Sequence, residues 1–123
     1  MIAAGFGFRD SATAESLESA LAAAWPGRAV DRLAVPADKA RATAITVLAA
    51  RSGLPLIAVD APTLAAQPAL TPAPAAGARY GWSPAETAAL AAAGPGARLQ
   101  APRAVSADRL ATCAIAIAAE NAP

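Results

Sequence analysis

About one residue in three along this 123-residue chain is alanine, while aromatic residues make up only 4%. That imbalance constrains the fold more than any motif does. Burying a methyl-sized group stabilises by about 0.8 kcal/mol, against about 1.5–3 kcal/mol for a whole Leu, Ile or Phe side chain. The 56% hydrophobic content therefore overstates the large side chain available. A core has to come from close backbone approach around scattered Leu, Ile and Val. The length suits one domain, residues 1–123, and is too short for two sizeable cores.

Charge and residue inventory exclude several classes of function. Ten Lys and Arg face nine Asp and Glu, a net charge of +1, and the basic residues are spread along the chain. A nucleic-acid footprint needs them clustered. With no His and a single Cys, the chain cannot build a Cys/His zinc site, a Ser-His-Asp triad or a Cys-His dyad, so no metal is expected. The lone Cys113 leaves no intrachain disulfide, which suits the cytoplasm. The apolar start Met1 to Gly7 is not preceded by a basic residue, unlike an export signal. No run approaches the roughly 18 apolar residues of a membrane-spanning helix. The expected location is cytoplasmic, with no membrane or nucleic-acid partner.

Patterning along the chain alternates strand and helix. Residues 2–8 form a short apolar run with a glycine-punctuated end and read as a buried first strand. Ser11 stands at an N-cap position, with Glu15 in the first turns, Leu17 and Leu21 on one face, and a stop at Pro26-Gly27. Residues 29–35 read as a second strand closed by Pro36. Asp38 is placed to cap a helix from about Lys39 to Ser52 that ends at Gly53. Leu54 to Val59 reads as a third strand with Pro55 at its start. Residues 60–67 suit a short helix capped by Asp60 or Thr63. Pro68 to Gly77 is low in complexity and rich in Pro, the composition of an extended surface loop. Ser83-Pro84-Ala85-Glu86 is a strong helix start, with an N-cap, Pro at the first helical position and a carboxylate at the third. That helix runs to about Ala93 and stops at Gly94-Pro95-Gly96. Residues 97–102 and 109–118 read as further strands, helix competing for the last because of its alanine content. The sum is an α/β fold, a single three-layer α/β/α domain around a small mixed, partly parallel sheet of about five strands.

Few residues carry chemistry. Gly5 and Gly7 lie where the first strand meets the first helix, the place where open α/β sheets bind ligands. Asp10 stands where a dinucleotide fingerprint needs its third glycine, so the glycines serve either a ligand or a tight turn and close packing. Lys39 is the only lysine. At a helix N-terminus it opposes the macrodipole, so it pairs with Asp38, is solvated, or meets an anionic partner. Glu86 has a complete explanation as a helix-start residue, and a loop–helix junction also suits a functional carboxylate. Thr112 and Cys113 read as core, with no charged neighbour to activate the thiol. Trp82 either stacks on a flat ligand or covers the sheet.

Taken in order, these pieces resemble the CobE / CbiG C-terminal family of cobalamin-biosynthesis proteins. The resemblance runs from Gly5-Phe6-Gly7-Phe8-Arg9 through Lys39 and Leu54-Pro55-Leu56 to Ala85-Glu86-Thr87-Ala88-Ala89-Leu90. It continues through Pro102-Arg103 to Ala111-Thr112-Cys113-Ala114-Ile115-Ala116. Order and spacing carry it rather than any single piece. The chain departs from the family pattern: Phe8 stands where the family usually has Cys, Asp10 and Ser11 follow Arg9 where it usually has a second Arg or a Gly, and Ala42 stands where it usually has an acidic residue. A mechanism that needs that thiol or that carboxylate cannot operate here.

The resemblance implies work on the corrin ring. Its first form is a carrier or accessory factor that binds a polycarboxylate tetrapyrrole intermediate, without a cofactor of its own. The alternative is an enzyme of ring A lactone opening or carbon–carbon cleavage, with Glu86 as general base. A third is a partner module of another pathway enzyme that binds nothing small. The ligand-binding candidates are Gly5, Gly7, Arg9, Ser11, Lys39, Trp82, Ser83, Thr87, Arg103 and Thr112. Cationic side chains among them suit the carboxylates of a macrocycle through charge-assisted hydrogen bonds. Arg9, Lys39 and Glu86 are expected to share one hollow at the rim of the sheet.

Overall fold

The structure, a computed structural model, describes residues 1–69 and 83–119. Strands β1 (Ile2–Phe8), β2 (Arg32–Pro36) and β3 (Leu56–Val59) are parallel neighbours. Helices α1 (Ala14–Ala24) and α2 (Thr43–Ser52) make the two crossovers between them. After α3 (Ala61–Ala65) and α4 (Pro84–Ala93) come β4 (Arg98–Leu99), β5 (Ala104–Val105) and β6 (Ala111–Ile117). Strand β6 lies antiparallel along the whole of β1, from Ile2 opposite Ile117 to Phe8 opposite Ala111. The order across the six-stranded sheet is β3-β2-β1-β6-β4, with β5 also on β6. The mixed α/β architecture expected from the sequence is the one observed.

The two faces of the sheet are built differently, and the alanine content explains why. On the α1/α2 face, Phe6, Leu33, Val35 and Ile115 meet Leu17, Ile45 and Leu48, all buried. Large side chains supply this half of the core, each worth about 1.5–3 kcal/mol. On the α4 face, Ala3, Ala34, Ala114 and Ala116 of the sheet meet Ala85, Ala88, Ala89 and Ala92. Methyl groups alone would contribute little, so the helix sits almost on the strand. A Cβ at Gly5 would lie 2.5 Å from the Ala89 amide nitrogen and 2.9 Å from its Cβ, and would run into the Ala85 carbonyl oxygen. Gly5 is glycine because α4 occupies the space of its side chain.

Several local expectations are corrected. The first strand spans the expected residues 2–8, and Gly5 and Gly7 lie inside it rather than in a turn at its end. Ser11 is exposed and is not the cap of α1; Thr13 is, in a reciprocal capping box with Ser16. Asp38 and Lys39 do not open α2, because residues 37–39 form a separate 3-10 turn. Ala42 then takes an extended conformation, and α2 starts at Thr43 without a side-chain cap. The second strand begins at Arg32 instead of residue 29, since Asp31 turns its carboxylate onto the Ile2 amide at 2.7 Å. The expected strand over 97–102 shrinks to Arg98–Leu99, and β5 was not anticipated. The expectations at α3, α4 and β6 agree with the structure, including Asp60 and Ser83 as caps. Most of the Pro-rich stretch Pro68–Gly77 lies outside the described residues, as does Trp82. No helix among the described residues is long and apolar enough to cross a membrane.

Candidate functional site

The carboxyl ends of β1 and β2, the start of β6 and the N-terminus of α4 meet at one edge of the sheet. Strand alternation sorts the candidate residues between its two faces. Gly5 and Gly7 face α4, while Phe6 and Phe8 pack with the α1/α2 layer.

On the α4 side the polar groups are tied to backbone. Thr112 Oγ1 donates to the Gly7 carbonyl at 3.3 Å. A Cβ at Gly7 would lie 2.9 Å from both Pro84 Cγ and Thr112 Oγ1, so this glycine also keeps room for its neighbours. Ser83 is buried and its hydroxyl caps α4 by accepting from the Glu86 amide at 3.4 Å. Thr87 Oγ1 donates back to the Ser83 carbonyl at 3.1 Å. Glu86 is 0% exposed, and its Oε2 accepts the Arg103 backbone N–H at 2.9 Å. A buried carboxylate needs such donors to offset its lost hydration. Its visible work is to tether the segment that leads into β5. Arg103 itself is half-buried.

On the opposite side, Lys39 reaches across 29 positions to Asp10, with Nζ 2.9 Å from Oδ1. The same ammonium lies 5.2 Å from the centroid of the Phe8 ring, a cation–π arrangement. Since Lys39 is not at a helix start, the argument from an opposed macrodipole lapses; Asp10 is its ionic partner, not Asp38. Lys39 and Glu86 are thus divided by the sheet rather than gathered in one hollow. Arg9 is exposed at the end of β1, its backbone N–H donating to the Leu110 carbonyl at 2.9 Å. Ser11 follows it, also exposed. An open hollow of about 270 Å³ does exist, between α1 and α2, lined mainly by Ala12, Thr13, Glu15, Thr43, Val47 and Arg51. It contains none of the expected site residues.

Sequence reasoning missed a hydrogen-bonded hub beside Arg9. Asp108 Oδ1 accepts from Ser106 Oγ at 2.6 Å and from the Leu110 amide at 3.0 Å. Its Oδ2 accepts from Ser16 Oγ of α1 at 2.5 Å. The Ser106-Ala107-Asp108 sequence is a turn signal that would have drawn attention to this segment, but nothing local points to Ser16. The hydroxyls of Ser106 and Ser16, then the Leu110 amide, hold the Asp108 carboxyl below its ordinary range. A depressed folded value gives stability that is present at neutral pH and lost as the pH falls through it. Asp108→Asn is therefore expected to lower Tm at neutral pH, with the gap to wild type closing in acid. A gap that stays constant with pH would show that ionisation of Asp108 is not the source. Cys113 is buried, and burial pushes its thiol well up, so it is no nucleophile.

The family described as "Cobalamin synthesis G C-terminus" matches residues 2–116. The crystal structure of CobE, a protein from the cobalamin (vitamin B12) biosynthetic pathway, superposes with a TM-score of 0.86 at 28% identity. That similarity covers 99% of this chain and 93% of CobE. Cobalamin biosynthesis protein chiG from Agrobacterium tumefaciens str. C58 superposes with a TM-score of 0.75 at 34% identity. Here 98% of this chain and 100% of the other are covered. No curated protein matches the chain.

Proposed function

The chain belongs to the cobalamin synthesis G C-terminus family and is a protein of the cobalamin pathway, and on that premise we propose that it binds a polycarboxylate tetrapyrrole intermediate as a carrier or accessory factor. The observation that carries this reading is Arg9. It stands exposed at the carboxyl edge of β1, where α/β sheets commonly take their ligands, and its guanidinium makes no ion pair with a described residue. Corrin precursors are flat macrocycles ringed by carboxylates, and a planar guanidinium fork matches a carboxylate in both charge and shape. Lys39 supplies a second positive charge at the same edge, already shared with Asp10.

The enclosure of Glu86 supports a carrier over an enzyme that uses it as general base. Its carboxylate is fully buried and engaged with the Arg103 amide, while a base must reach the proton it removes.

Titrating the protein with a panel of corrin precursors, followed by visible absorption with products checked by mass spectrometry, tests the reading. Wild type is expected to shift the spectrum of at least one precursor without converting it. Arg9→Ala is expected to bind that precursor about ten-fold more weakly, the loss of one charge-assisted contact. Failure of every precursor to bind would end the proposal, and conversion to product would favour the enzyme.

A further inference from the structure

We infer that Asp10 is a built-in stand-in for a ligand carboxylate: it pairs with the Lys39 ammonium, which the Phe8 ring holds at the carboxyl edge of the sheet, until a carboxylate of the tetrapyrrole takes its place. This rests on the binding reading above and adds to it the residue that competes for the site and the residue that positions it.

The placement follows from two parallel strands. Strand β1 ends at Phe8, and the 3-10 turn of residues 37–39 follows β2 directly. Gly5 pairs with Ala34, so Phe8 and Lys39 leave the sheet at the same edge. There Lys39 Nζ lies 5.2 Å from the centroid of the Phe8 ring and 2.9 Å from Asp10 Oδ1. The members of this trio are held to very different degrees. The Lys39 side chain is only 19% exposed, and Phe8 packs against the α1/α2 core. Asp10 is fully exposed, in the turn after β1. The cation is therefore fixed by the fold, and its anion reaches it from the solvent side.

An ion pair with one side open to water is weakly held. The ring attracts the ammonium through its quadrupole and carries no charge of its own, so it fixes Lys39 without neutralising it. A ligand carboxylate that exchanges with Asp10 replaces one ion pair by another, while the other carboxylates of the macrocycle remain for Arg9 at the same edge. Asp10 thus acts as a tethered competitor, and it lowers apparent affinity according to the fraction of molecules in which it occupies the ammonium. Other cations have internal uses. Arg51 is half-exposed and already shared between Glu15 at 2.7 Å and Glu18 at 3.2 Å, Arg32 donates to the Ala92 carbonyl, and Arg28 stacks on Trp25.

The test uses uroporphyrin, a soluble octacarboxylate tetrapyrrole, titrated into the whole protein and read by its Soret band, with Tm measured in parallel. Asp10→Asn is expected to bind about two- to five-fold more tightly than wild type, with a Tm that is level or slightly lower. A purely structural ion pair would give no gain in affinity. The gain should vanish when Lys39→Gln is added, because Asp10 acts through that ammonium. Asp31→Asn makes the same change of net charge at the opposite edge of the sheet, where the new amide oxygen can still accept from Ile2, and should bind like wild type. Phe8→Leu should bind about two- to five-fold more weakly, and Phe8→Tyr, which keeps the ring face, should stay close to wild type. The inference is overturned if Asp10→Asn binds no more tightly than wild type, if Asp31→Asn gains as much, or if the gain survives in the Lys39→Gln background. Any of these leaves the binding reading standing. If neither wild type nor Asp10→Asn binds uroporphyrin the inference also fails, and the binding reading is then decided by the precursor panel alone.

Discussion

Replacing Gly5 by alanine is expected to leave the chain largely unfolded or insoluble, a larger effect than any surface substitution here. The added Cβ would meet the Ala85 carbonyl oxygen, the Ala89 amide nitrogen at 2.5 Å and the Ala89 Cβ at 2.9 Å. Two of these three atoms are backbone of α4, which cannot swing aside as a side-chain tip can. Relief requires the helix to lift from the sheet, opening the packing of Ala85, Ala88 and Ala89 against Ala3, Ala34 and Ala114. Overpacking typically costs about 1–3 kcal/mol, and lifting a whole layer adds to that, against a total stability of about 5–15 kcal/mol. A further variant tests the cause: trimming Ala89 to glycine in the Gly5→Ala background should not restore folding, since the backbone clashes persist. Urea unfolding of the Gly5→Ala protein at near wild-type stability would refute the close contact. Gly7→Ala offers a contrast, because its Cβ would meet side-chain atoms of Pro84 and Thr112, and shortening Thr112 should recover part of the loss.

The need for that contact was legible in the composition. A chain with so much alanine and so few aromatics has to bring backbones together, and the α4 face does so. Local signals were equally readable. Ser83, Pro84 and Glu86 act within a single turn of helix, and the helix starts where they indicate. Strand β6 was readable because Ile115 and Ile117 alternate with alanine. Failures arose where a local signal competed with a tertiary one. Asp38 is a good cap by residue type, but Lys39 next to it is drawn to Asp10 and Phe8, and the helix waits until Thr43. A strand as short as Ala104–Val105 has no periodicity to read; β6 and the Glu86 tether define it.

The candidate site was less legible than the fold, for a reason of sequence distance. Residue type singled out Arg9, Lys39 and Glu86, but the partners of such groups are set by topology. Asp10 lies 29 positions from Lys39, Arg103 17 from Glu86, and Ser16 92 from Asp108. Each pairing decides whether a charge faces outward or is used internally. The left-handed backbone of Arg109 likewise cannot be read from an Ala-Asp-Arg-Leu sequence.

Glu86 shows most sharply how far a burial pattern can divide two functional readings. Glu86→Ala is expected to cost about 2–4 kcal/mol, combining an Arg103 N–H left without its acceptor with the cavity of the deleted side chain. The stretch from Arg103 into β5 should loosen with it, seen as faster amide exchange at Arg103 and Val105. Glu86→Gln is the discriminating variant. An amide oxygen can still accept the Arg103 N–H, so a tethering role predicts loss of under about half of the alanine effect, with tetrapyrrole affinity kept. A general base would give the reverse, because glutamine cannot take a proton: stability near wild type and turnover abolished. The two outcomes differ in stability and in turnover, so an unfolding curve and a product assay by mass spectrometry, each set against wild type, separate them. Because Glu86 is buried in the first turn of α4 with its Oε2 accepting the Arg103 N–H, the expected result is the first. In that case the exposed Arg9 at the end of β1, rather than the buried carboxylate, is the residue to test for ligand binding.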